Sequence, residues 1–217
     1  MKVELIGLTK PSSTTGCNSA DELVAYAARV SNPGNQNNTE TAPKLLKYLI
    51  KNEHWSPFEM VSVQMSITTT RDISRQIIRH RSFSFQEYSQ RYAEAPEQIY
   101  TREARLQDPS NRQNSITTED AAQAIRWKRL QEEVGMKARE AYNKALKDGI
   151  AKEQARALMP EGLTETTIIV SGSLRSWIHY CQLRMANGTQ KEHADIAKMC
   201  WKIIEGHFPS VAKAFTE

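Results

Sequence analysis

The chain has 217 residues, of which 39% are hydrophobic and 25% charged, with a net charge of +4. This is the make-up of one generous globular domain spanning residues 1–217, and it excludes a disordered chain or a repeat array. No apolar run approaches the roughly 18 residues of a membrane span, and Glu4 interrupts the start where a secretion signal needs its apolar stretch, so a cytoplasmic protein without membrane contact is expected.

In chain order, Lys2 to Leu8 alternates as a strand does, and Asp21 to Val30 carries apolar residues at helical spacing behind Ser19, a suitable N-cap. SNPGNQNNTET, residues 31–41, is a loop, and a helix over 44–51 follows Pro43. The alternation of Val61, Val63, Met65 and Ile67 predicts a half-buried strand within 58–70, and 71–80 reads as a short helix. A long helix is predicted over 121–146 and a short one over 151–159, ending at Pro160. The β-branched run at 164–171 predicts a buried strand, and 174–185 and 191–205 are amphipathic helices. Strands and helices interleave without a doubly wound period, which predicts an α+β domain with a small, mostly antiparallel sheet packed with helices.

Cys17, Cys181 and Cys200 form no CxxC pair, and the histidines offer no HxxxH spacing, so neither a disulfide framework nor a metal site is expected. There is no GxGxxG and no GxxxxGK[ST], so any phosphate must be met by side chains. The supply is concentrated in RDISRQIIRHRSFSFQEYSQRY, residues 71–92. On a helix, Arg71, Arg75 and Arg79 would share one face and repel unless anions lie opposite, and serines, glutamines and Arg91 continue the donor series.

Two functions compete for this segment. RSFSFQEY, residues 81–88, follows the pattern of an RNA-binding octamer, with Ser82 and Ser84 at its small positions and Gln86 in place of valine. The alternative is a nucleotide enzyme, since RHRSFSFQEYSQRY (79–92) resembles the signature of the flavin-dependent thymidylate synthases. That signature is an RHR triplet with serine five residues after its first arginine, then serine and arginine ten and twelve after it. Ser84, Ser89 and Arg91 match, and Glu87 stands at a common acidic position. HWSPFE (54–59), ARALMP (155–160) and SGSLRSWIHYCQLRMANGTQKEHADIA (171–197) extend the resemblance over nearly the whole chain.

The resemblance implies an α+β homotetramer with active sites at subunit interfaces, using FAD, NADPH and methylenetetrahydrofolate to convert dUMP to dTMP, with no nucleic acid partner. A relative acting on another pyrimidine nucleotide is the nearest variant of that reading. Carried onto this sequence, the FAD positions are Ser56, Arg79, His80, Arg81, Glu87 and His193, together with Ser173 and His179, which stand where asparagine is frequent. The dUMP positions are Gln76, Arg79, Glu87, Ser89, Gln90, Arg91, Arg156 and Arg184. His54 and Trp55 fall in the folate and flavin stacking region. Methylating uracil at carbon 5 requires either a thiolate on carbon 6 or polarisation of the ring. Cys181 lies in the amphipathic stretch IHYCQLR, where a buried structural thiol is expected, and neither Cys17 nor Cys200 has a histidine near it in sequence. The resemblance implies a mechanism without an enzymic cysteine, with ring activation placed on Arg184.

Overall fold

A computed structural model describes residues 1–216. The strands are β1 (Lys2–Leu8), β2 (Ser62–Thr70), β3 (Ser84–Glu87), β4 (Arg105–Gln107), β5 (Ser115–Thr117) and β6 (Glu165–Ser173). The helices are α1 (Ala20–Ala28), α2 (Ala42–Lys51), α3 (Arg71–Ile77), α4 (Ala121–Lys147), α5 (Lys152–Ala155), α6 (Leu174–Met185), α7 (Lys191–His207) and α8 (Pro209–Thr216).

The predicted α+β architecture is present. Four strands pair in the order β1-β2-β6-β3, every pairing antiparallel, while β4 and β5 form a separate hairpin. Along β2, Val63, Met65 and Ile67 are fully buried while the intervening residues are not, as period-two alternation requires. Ile168 and Val170 of β6 face the same way. This face meets Trp177 and Ile178 of α6 and Ile196, Cys200 and Ile204 of α7 in one core. The buried indole of Trp177 donates to the Val63 carbonyl at 3.0 Å, so its polar atom is satisfied.

Local chemistry sets the helix ends. Ser19 accepts from the Glu22 amide at 3.2 Å at the start of α1, and Asp120 accepts from the Gln123 amide at 3.0 Å at the start of α4. α4 buries only Gln131, Gly135 and Tyr142. Its apolar residues Ile125, Leu130, Val134 and Met136 stay exposed. Among the described residues the i,i+4 ion pairs along α4 are Lys128–Glu132 and Glu133–Lys137, while Glu140 and Lys144, spaced alike, form none.

Several expectations are corrected. The central strand begins at Ser62, because Ser56–Met60 forms a 3-10 helix with Pro57 in its first turn. α3 ends at Ile77, three residues early, because the chain turns there to bring Phe83 into the core. β3, the β4–β5 hairpin and α8 are additional. Among the described residues, no helix is long and apolar enough to cross a membrane.

Candidate functional site

The turn after α3 carries Arg79, His80 and Arg81. It is anchored by Phe83, whose ring lies 4.7 Å from that of Trp177 and directly over Gly172, where any Cβ would overlap it. The Ser82 carbonyl accepts from Ser176 Oγ at 3.2 Å, tying the turn to the first turn of α6, which Ser173 caps. This anchoring also answers the RNA reading. Phe83 is buried at 8% exposure and is not available to stack on a base, and only Ser84–Glu87 of the octamer is strand.

His80 faces the far end of α6. Its Nε2 accepts from Arg184 Nε at 2.9 Å, and its ring packs edge-on against Tyr180 at 5.0 Å. Burial, and then the Arg184 charge, bring the His80 pKa down to about 4, so the ring is neutral near pH 7 with its proton on Nδ1. Arg79 and Arg81 are exposed, and Arg79, Arg81 and Arg184 have no carboxylate partner among the described residues. The neutral imidazole thus holds Arg184, and the two exposed arginines flank it in sequence.

Beneath this corner lies His193, fully buried near the start of α7. Its Nδ1 is 3.1 Å from Gln76 Oε1 and its Nε2 is 3.1 Å from the Tyr180 hydroxyl. Burial, followed by the Arg184 and His80 charges, holds its pKa down to about 3. Gln76 Nε2 in turn donates to Gln190 Oε1 at 2.8 Å.

The remaining nucleotide candidates lie on another side of α3. At 100° per residue, Gln76 points about 100° away from Arg75 and about 140° away from Arg71. Arg71 and Arg75 turn to β3, where Glu87 stands 4.0 and 3.7 Å from their guanidinium groups, and to Glu161 at 3.9 and 3.6 Å. These are the opposing anions that the arginine row requires. Glu87 Oε1 also accepts from Ser74 Oγ at 2.9 Å and Thr166 Oγ1 at 3.1 Å. Burial lowers the Arg71 pKa, Glu87 opposes that shift, and Arg75 and Arg156 add to it. Arg91 pairs with Glu153 at 3.4 Å, and Arg156 Nε donates to the Glu153 carbonyl at 3.2 Å, so these two arginines share one neighbour. Ser89 Oγ accepts from the Arg91 amide at 3.4 Å. Gln90 is 2% exposed, and its Nε2 has no partner among the described residues.

A third group surrounds Trp55. Its ring meets His179 at 4.7 Å edge-on and Phe215 of α8 at 6.2 Å, stacked within 13°. His54 lies edge-on to Tyr48 at 6.0 Å, and Ser56 is exposed at the start of the 3-10 helix. Burial, then the Arg175 charge, lowers the His179 pKa.

The structure thus brings Gln76, His80, Arg184 and His193 into one corner and groups Arg91 with Arg156 in another. Glu87 is engaged by Arg71 and Arg75. Sequence reading missed Tyr180 and Gln190 as site residues. Tyr180 was legible as the i,i+4 neighbour of Arg184 on α6, and Gln190 as the residue preceding α7. Among the described residues, no group of three His, Cys, Asp or Glu side chains could hold a metal ion.

The fold and the arginine corner define an α+β protein built to meet an anion with side chains. A family profile described as "Thymidylate synthase complementing protein" matches residues 13–210. A probable flavin-dependent thymidylate synthase of Paramecium bursaria Chlorella virus 1 is 51% identical over 214 residues, covering 99% of this chain and 98% of that protein. The flavin-dependent thymidylate synthase of Synechocystis sp. is 48% identical over 217 residues, covering 99% of each. A UMP/dUMP methylase of Streptomyces cacaoi, solved with 5-Br dUMP, superposes with a TM-score of 0.83 at 28% identity, covering 99% of this chain and 94% of that one. The chain belongs to the thymidylate synthase complementing protein family, the flavin-dependent thymidylate synthases.

Proposed function

We propose that this protein carries out the reductive methylation of dUMP to dTMP, with methylenetetrahydrofolate as carbon donor, FAD as cofactor and NADPH as reductant. The observation that carries the reading is Arg184 held by a neutral His80, with the exposed Arg79 and Arg81 on either side of that histidine in sequence and none of the three arginines paired with a carboxylate among the described residues. Their charge suits two phosphate-bearing ligands, and guanidinium groups grip phosphate oxygens bidentately.

The donor set fits a flavin dinucleotide without a glycine cradle. Arg79 and Arg81 would meet the pyrophosphate, with His80, Ser56, Ser173, His179 and Glu87 assigned to the same cofactor, while His193, buried with both ring nitrogens engaged, would serve that cofactor through its neighbours. His54 and Trp55 would form the stacking shelf for flavin and folate. When bound, the flavin supplies the hydride that completes the methyl group.

The chain's own residues do the rest. Ser89, Arg91 and Arg156 hold the nucleotide phosphate, which is near two negative charges at neutral pH. Gln76, Arg79, Glu87 and Gln90 orient the nucleotide, the unpartnered Gln90 amide being one donor in want of an acceptor. Arg184 stabilises the negative charge that builds on the N3 and O4 edge of the uracil as carbon 5 attacks, a contribution on the scale of about 3–4 kcal/mol. Sulfur is a poor substitute, because Cys181 and Cys200 are fully buried and burial raises both thiol pKa values.

Two candidate groups for one nucleotide, turned to different sides of α3 in a single protomer, support an active site shared between subunits of a homotetramer. The exposed apolar residues of α4 support the same reading. Purified protein mixed with dUMP, methylenetetrahydrofolate, NADPH and FAD should yield dTMP. A folded, flavin-loaded protein that yields none overturns the proposal.

A further inference from the structure

A line of hydrogen bonds crosses from the core to the surface beneath the arginine corner. The Tyr180 hydroxyl meets His193 Nε2, His193 Nδ1 meets Gln76 Oε1, Gln76 Nε2 donates to Gln190 Oε1, and Gln190 Nε2 donates to Glu192 Oε2 at 2.9 Å. Glu192 then closes the line with Arg105 at 2.6 and 2.8 Å. His193 and Glu192 are both buried, at 0% and 8% exposure.

The direction of the line follows from its charged end. A carboxylate only accepts, and an amide donates from one end alone. The Glu192 carboxylate must therefore face the Gln190 nitrogen, which leaves the Gln190 oxygen for the Gln76 nitrogen. The Gln76 oxygen then faces His193, whose Nδ1 must carry the proton, and Tyr180 must donate to Nε2. Reversing the line would set the Gln190 oxygen against a carboxylate, two acceptors in contact. Burial opposes the charge on Glu192, but its own backbone amide, Arg105 and Gln190 outweigh that and keep the carboxyl below its ordinary range. Burial also keeps Tyr180 a phenol.

We infer that the Arg105–Glu192 pair, acting through Gln190, His193 and Tyr180, fixes the amide of Gln76 so that its nitrogen, with one N–H spent on Gln190 and one left over, is offered as a donor to a carbonyl of the pyrimidine base. Glu192, Gln190, His193 and Tyr180 are positioning residues, none of which touches substrate in this role. The inference rests on the reading of Gln76 as a nucleotide-binding residue.

Imidazole 15N NMR of the full-length protein, with His193 assigned by its loss in His193→Asn, reads the proton position directly. The expected result near pH 7 is a neutral His193 protonated on Nδ1, the rarer form of free imidazole. In Glu192→Gln, whose new amide can face either way, the signal should shift towards the Nε2-protonated form, and the Kd for dUMP should rise about tenfold. Gln76→Ala should weaken dUMP to a similar degree. Protonation on Nε2 in the unaltered protein overturns the relay, and this measurement stands even where Glu192→Gln or Gln76→Ala does not fold. A Gln76→Ala protein that binds dUMP poorly beside a Glu192→Gln protein that binds it normally overturns the relay alone. If Gln76→Ala binds dUMP normally, the nucleotide reading of Gln76 fails, and the positioning claim fails with it.

Discussion

Arg184 donates from Nε to His80 Nε2 at 2.9 Å, and among the described residues its two terminal nitrogens meet no hydrogen-bond or carboxylate partner. The imidazole holds the arginine without cancelling its charge, as a carboxylate in the same place would. Under the proposed function, a cation so held would keep its full strength for an anion that forms during reaction.

Replacing Arg184 with alanine should therefore cut dTMP formation about 100- to 1,000-fold while flavin stays bound. Arg184→Lys should recover little, since an ammonium lacks the planar fork that turns one nitrogen to His80 and others to a base edge. Turnover assays on protein whose visible flavin spectrum is unchanged check both.

Cys181→Ser and Cys200→Ser should each keep turnover within about twofold, with a stability loss of about 1–2 kcal/mol. The Cys181 thiol donates to the Ala197 carbonyl at 3.6 Å, a bond a hydroxyl can replace. Loss of turnover in a folded variant would restore a sulfur nucleophile.

Stability should fall with acid through the histidine window. In the unfolded chain both imidazoles titrate near 6.5, whereas His80 is held down to about 4 and His193 to about 3. From about pH 6.5 to about pH 3 the unfolded state binds more protons, so folding stability drops as pH falls and levels off below that range. Urea denaturation at about pH 7.5 and about pH 5 should show a smaller loss in His193→Gln than in the unaltered protein.

Glu87→Gln should destabilise the fold by about 1–3 kcal/mol. It removes the carboxylate that lies against Arg71, which is 8% exposed, and leaves Glu161 as that guanidinium's remaining anion. The shift in urea midpoint measures it.

Gly172→Ala should cost about 1–3 kcal/mol and also weaken flavin binding. The added methyl overlaps Phe83, and Phe83 is the anchor two residues beyond Arg81. Denaturation and flavin titration of the same variant separate the two effects.

Much of this was legible in the sequence where a pattern was long and local. β1 and α6 have the bounds that periodicity predicts, and the RHR corner announced itself by density of donors. What was not legible depended on partners far away in sequence. Glu161 lies 86 positions beyond Arg75, so the row of arginines read as repelling when its anions were merely out of view. β3 has four residues and takes its identity from pairing with β6, so S-F-Q-E carried no strand signal of its own. Pro209 at the start of α8 was a usable helix signal that the reading passed over. His193 was assigned on resemblance, and only the fold reveals that Tyr180 and Gln76 hold both of its nitrogens.

The surroundings of Trp55 are assembled from stretches far apart in sequence. The Ser210 amide donates to Asp21 at 2.8 Å, which ties α8 to the first turn of α1, and Phe215 of α8 stacks on Trp55. A substitution that loosens α8 therefore reaches the indole from a distance, through packing alone and without any change in the residues that adjoin Trp55 in sequence.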